Sequence, residues 1–259
     1  MTQGSLAGIA AIAVVSLAVA SDSQRAADCS LADMATIHQT TMNPGKLDLL
    51  ASWLPAQPWY LGAAGTEPKL TRAGGFRLDD PAGAVGIEFM VVADDATGDT
   101  VFYQVPMTYR GAPLAGADDA LIGTSEHGVL GRRWIYDGVH DPVLIAQLVA
   151  CIQGAATPQA QSQSDTPDPT VVAVPLADAA LATAEPALIV DSSSGTDLRV
   201  KTNGQAGPLI LRLHRILRHA DAATGAATRP CLSATWRLPD GSLSRGVFVS
   251  GACPSEGQH

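Results

Sequence analysis

The sequence predicts an α+β fold: a helix and antiparallel strands closed by a second helix, followed by a β-rich C-terminal half. Three observations predict it. Apolar residues recur at helical spacing near residues 43–54, two runs rich in β-branched and aromatic residues follow at 84–93 and 100–110, and a wide apolar stripe occupies 141–153. The 259 residues are 46% hydrophobic and 16% charged, a globular balance with enough apolar mass to build a core without staples.

Residues 6–20 (LAGIAAIAVVSLAVA) form an apolar run too short to span a bilayer comfortably but of the size of a signal-peptide core, and Ala18-Val19-Ala20 offers a cleavage pattern. Residues 1–5 contain no Lys or Arg, so the charged n-region is missing, and a misassigned start upstream of Met34 explains the segment equally well. Residues 1–33 are therefore read as a leader. The expected location is cytoplasmic, or secreted if residues 1–20 act as a signal peptide.

At 43–54, Asn43 is the expected cap, Pro44 takes the first helical position, and Leu47, Leu50 and Leu54 share one face. Pro55 and Pro58 stop this helix. Trp53, Trp59 and Tyr60 gather around the stop, either as a core anchor or as a stacking platform for a sugar ring. Residues 84–93 (AVGIEFMVVA) and 100–110 (TVFYQVPMTYR), separated by turn-forming residues, read as a β-hairpin. Pro106 predicts an edge strand or a bulge there, because proline cannot donate to a central ladder. Another strand is expected at 128–136 (GVLGRRWIY). Asp141-Pro142 then opens a helix through Gln153 that buries Leu144, Ile145, Leu148, Val149 and Ile152.

Residues 154–170, polar with three prolines, read as a linker, which divides the chain into a domain at 34–153 and a β-rich domain at 171–253. In the latter, strands are expected at 188–190, 197–202, 208–217, 231–238 and 243–249. Pro239-Asp240-Gly241 turns the last two into a hairpin.

Sixteen basic against twenty-five acidic residues give a formal charge of −9, which repels a phosphate backbone and argues against nucleic acid and anionic membranes, and the short apolar run at 6–20 argues against stable membrane insertion. Cys29, Cys151, Cys231 and Cys253 are too scattered for a zinc site, although Cys231 and Cys253 could meet across a sheet. Residues 124–141 (TSEHGVLGRRWIYDGVHD) concentrate polar chemistry: Ser125, Glu126, His127, Arg132, Arg133, Tyr136, Asp137, His140 and Asp141. A hydrolase would use Ser125 with His127 or His140, but no G-x-S-x-G elbow is present. A metal centre on His127 and His140 lacks the H-E-x-x-H spacing, so no metal or cofactor is predicted. Arg132-Arg133 could grip a carboxylate or phosphate. The candidate ligand-binding residues are thus Trp53, Trp59, Tyr60, Glu126, His127, Arg132, Arg133, Tyr136 and His140. The competing reading makes this stretch a solvated strand face, with Val129, Trp134 and Tyr136 helping to build the core. Gly74-Gly75 and the Gly128 to Gly131 spacing fit no phosphate-binding loop.

Residues 34–60 (MATIHQTTMNPGKLDLLASWLPAQPWY), 74–89 (GGFRLDDPAGAVGIEF), 103–113 (YQVPMTYRGAP) and 121–142 (LIGTSEHGVLGRRWIYDGVHDP) together resemble the maltokinase N-terminal cap family over 34 to about 153. The resemblance implies a cystatin-like cap with a helix against a curved antiparallel sheet. It further implies a place in α-glucan, maltose or amino-sugar metabolism, since such caps precede the kinase body of actinobacterial maltokinases and related glucosamine kinases. Residues 208–217 (PLILRLHRIL) echo a kinase strand, with Arg212 where the ATP-contacting lysine would stand. No catalytic residue carries over, and the short stretch after Ser250 is expected to leave no room for a catalytic lobe. The expectation is a free-standing, non-catalytic cap-like protein that binds or regulates a carbohydrate-metabolism enzyme. The alternatives are a small-sugar binding module and a divergent ATP-dependent sugar kinase.

Overall fold

The computed structural model describes residues 42–163, 165–175, 181–202, 209–219 and 229–252, all within one compact unit, Met34–His259. The leader at 1–33, Cys29 and Cys253 lie outside the described residues. What is described is a sheet-rich fold in which every strand pairing is antiparallel and helices are few.

The first element is a two-residue strand, β1 (Met42–Asn43), paired to β5 (Leu121–His127). This pairing occupies Asn43, so the cap of helix α1 (Lys46–Trp53) falls on Gly45 instead, whose N–H donates to Asp48 Oδ2 at 3.1 Å. The helix lies over a sheet built from β2 (Leu70–Leu78), β3 (Gly86–Asp94), β4 (Val101–Arg110) and β6 (Gly131–Asp137). Helix α2 (Pro142–Ile152) packs on the other face, its Leu144, Ile145, Leu148 and Ile152 fully buried.

Strand β3 is buried on both faces, and its alternation divides the core. Ile87, Phe89, Val91 and Ala93 face α2, while Met90 and Val92 face α1 beside Tyr103, Val105 and Met107 of β4. Pro106 sits in this central strand rather than at an edge. The amide of Gln104 points outward to Arg215 O at 2.8 Å, so the nitrogen of Pro106, two residues on, faces the same side. That side of β4 pairs with β12 (Ile216–Leu217) at Phe102 and Tyr103 and with β6 from Met107 onward. Pro106 therefore occupies the gap, where no ladder bond is lost.

The chain from 154 onward extends the same sheet. Strand β7 (Gln159–Ala160), within the expected linker, pairs on β2, and β8 (Val172–Ala173) pairs on β13 (Arg229–Arg237). From β13 the sheet continues through β14 (Leu243–Ala252), β11 (Leu209–Leu213) and β10 (Gly195–Thr202) to β9 (Leu181–Ser192). The single strand expected at 208–217 breaks at His214-Arg215, where the chain leaves β14 and swings onto β4. The pairings β4, β3, β2, β13, β14, β11/β12 and back to β4 thus close a ring. Phe76 and Phe89 stack inside it at 4.6 Å, with Phe248 against Phe76 and Trp236 against Phe248.

Strand β2 bulges at Ala73, between Arg72 and Gly74, and reaches both neighbours through the adjoining Gly74-Gly75, the pair that matched no phosphate loop. Gly75 has φ +128°, and a Cβ there would lie 2.1 Å from Phe89 O, so only glycine allows β2 to approach β3 this closely while turning toward Trp236.

Candidate functional site

The aromatic residues at the end of α1 form one group. Proline at 55 turns the chain into a short 3-10 turn, which drops Trp59 against β4. Trp59 is fully buried, 5.8 Å from the half-buried Trp53 and 6.0 Å from Tyr103, a residue that the sequence reading did not single out. Tyr60 lies 5.5 Å from Tyr103 and donates its hydroxyl to Asp94 Oδ2 at 2.8 Å; Tyr103 Oη in turn accepts from Leu61 N. Burial and the neighbouring Asp94 carboxylate push the Tyr60 phenol well above its ordinary range. The buried guanidinium of Arg215 sits 4.9 Å from the Trp59 ring centroid, on a face that a sugar would otherwise need.

The polar stretch at 124–141 is spread over a hairpin and the elements after it. Residues 128–130 are the turn between β5 and β6, so the strand expected from Gly128 begins at Gly131, and Val129 is 62% exposed rather than part of the core. Glu126 and Arg132 face each other on exposed strand positions, and Arg132 also lies 5.6 Å over the Trp134 ring. His127 accepts backbone N–H bonds at Nδ1 from Val129 and Leu130, and Arg133 donates to Leu130 O at 2.8 Å. Ser125 is buried and donates to Pro44 O at 2.8 Å, which ties the hairpin to the start of α1. Tyr136 is buried on the outer face, its hydroxyl accepting from Leu114 N. His140 ends the 3-10 turn that leads into α2. The hairpin thus carries Glu126 and Arg132 on one face and His127 and Arg133 on the other, while Tyr136 and His140 stand apart from them, as does the aromatic group.

Three buried ionic groups complete the picture. Glu88, the lone carboxylate in the apolar run of β3, accepts from Lys46 Nζ at 2.6 Å, Tyr109 Oη at 2.5 Å and Gln161 Nε2 at 2.6 Å. Burial raises its pKa, but the Lys46 charge and these three hydrogen bonds outweigh that and hold it below the ordinary carboxylate range. Asp141 caps α2 and pairs bidentately with Arg110 at 2.6 and 2.7 Å. Arg215 donates to Asp137 Oδ2 at 2.6 Å and to Thr196 Oγ1 at 2.7 Å. A charged residue inside an apolar strand pattern is the signal that marks Glu88 in the sequence; the partners of Arg215 come from strands far apart in the chain and leave no local signal.

Arg212 forms a bidentate pair with Asp197 at 2.6 and 2.7 Å on the adjacent strand. Among the described residues, no group of three or more His, Cys, Asp or Glu side chains is placed to hold a metal ion, and no helix is long and apolar enough to cross a membrane.

No curated protein matches the chain. A family model does match, and it covers the helix end, β2 to β6 and the cap of α2. Residues 53–141 match the maltokinase N-terminal cap domain, the family that residues 34–153 resemble.

Proposed function

We propose that this protein serves α-glucan, maltose or amino-sugar metabolism as a non-catalytic cap-like module that binds or regulates a carbohydrate-active partner enzyme. The observation that carries this reading is the match of residues 53–141 to the maltokinase N-terminal cap domain. In this reading α1 laid across the curved strands β2 to β6 is the cystatin-like body of the cap, and the C-terminal strands brace it. The residue types that could do chemistry support a structural use. Ser125 is bonded to the backbone of Pro44, Arg212 is clamped by Asp197, and Glu88 is neutralised inside the sheet.

Affinity purification of the tagged chain from its native host tests the proposal. Enrichment of an enzyme that acts on maltose, α-glucan or a sugar phosphate is the expected result. Recovery of no such enzyme above an untagged control overturns it.

A further inference from the structure

We infer that the tip of the β5–β6 hairpin docks into an apolar slot rimmed by carboxylates on a partner protein. The inference deepens the partner-binding reading and rests on it. Val129 and Leu130 are adjacent, 62% and 43% exposed, at a turn where solvated hairpins usually carry Gly, Asn or Asp.

The turn holds these side chains outward by satisfying its own backbone. The N–H groups of Val129 and Leu130 donate to His127 Nδ1 at 3.4 and 3.1 Å, Leu130 O accepts from Arg133 Nη2 at 2.8 Å, and Gly131 supplies the left-handed residue at φ +68° that closes a three-residue loop. The stem is anchored as well, through β1 pairing at Met42 and Asn43 and through the bond from Ser125 to Pro44. A partner therefore meets an apolar pair already ordered, and the entropy lost on binding is small.

Charge selects the partner's chemistry. The whole chain carries −9, which repels acidic surfaces, yet Arg132 and Arg133 follow the apolar pair on β6, one on each face of the hairpin, with Glu126 opposite Arg132. A slot with an apolar floor and Asp or Glu at its rim complements this tip, whereas the rest of the protein repels it.

The test places a photo-crosslinking benzoylphenylalanine at Leu130 of the full chain in the native host, with the same probe at the exposed Leu243 on β14 as the control. The expected result is an adduct specific to Leu130, mapped to an apolar peptide flanked by Asp or Glu on one identified protein. Excess unlabelled wild-type chain suppresses it, and a Val129→Ser/Leu130→Ser chain with an unchanged urea midpoint competes about tenfold less well, the loss expected for two apolar anchors. Equal competition by the double-serine chain, adducts as diffuse as those at Leu243, or adducts on phospholipid overturn the inference. If the tagged double-serine chain recovers a carbohydrate enzyme at undiminished yield, the tip is refuted while partner binding stands; if neither chain recovers one, both fall.

Discussion

At Glu88 a buried carboxylate is stabilised by a single ammonium and three short hydrogen bonds, and the balance fixes its response to pH. The folded-state pKa lies below the ordinary value, so the stabilisation is fully present above about pH 4.3 and is lost as pH falls through the folded value. Glu88→Gln keeps the shape but removes the charge that Lys46 needs. We expect it to cost about 2 kcal/mol at pH 7, below the roughly 3–5 kcal/mol of a fully buried pair because Lys46 keeps contact with water. Urea denaturation at pH 7 and pH 3 checks this: the gap between wild type and variant should narrow at the lower pH, and a gap independent of pH contradicts the argument. The buried thiols obey the same physics in the opposite sense. Burial pushes Cys151 up to about 11 and Cys231 up to about 12, so both remain protonated at neutral pH and neither is poised as a nucleophile.

Among the elements, α2 depends most on one side chain. Asp141 is completely buried, accepts from Val143 N at 2.9 Å as the cap, and holds Arg110 with both oxygens; these bonds overcome the effect of burial and keep its carboxyl below the ordinary range. Asp141→Ala removes cap and ion pair together and should cost about 3 kcal/mol, whereas Asp141→Asn keeps an acceptor for Val143 and should cost roughly half as much. Urea midpoints and helical circular dichroism separate the two, and equal losses would show that the cap contributes nothing. This helix was legible in the sequence because its signals are local: an Asp-Pro start and an apolar stripe within one turn of each other. Strand β2 was not, since the bulge at Ala73 breaks its alternation and the pattern of residues 70–78 fits neither period. Strand β5 was hidden by its polar residues, Thr124, Ser125 and Glu126, whose strand state is set by β1 and β6 on either side. The site followed the same rule. The aromatic cluster could be seen in the sequence, but Tyr103 and the Arg215 guanidinium that complete it arrive from distant strands.

Over the whole molecule, the ring of strands makes residues beyond 153 part of the structure around the cap match; it closes through the single pair Trp236–Gly74 between β13 and β2 and through the two-residue pairing of β12 with β4. Side chains reinforce the latter seam. Gln104 donates to His214 O and Phe248 O, bridging the break between β11 and β12, and Arg215 reaches Asp137 on β6, Thr196 on β10 and the Trp59 ring. Arg215→Ala leaves Asp137 buried opposite no cation, for which we expect a loss of roughly 3–5 kcal/mol, while Arg215→Met combined with Asp137→Leu should recover most of it because an apolar pair carries no desolvation penalty. Hydrogen exchange tells a local break from a global one. If the ring folds as one unit, Arg215→Ala lowers protection equally in β3 and β14, since amides in both strands exchange through the same opening. A variant in which β14 loses protection while β3 keeps it would instead make the C-terminal strands a separately folding attachment, and the seam a hinge between two parts.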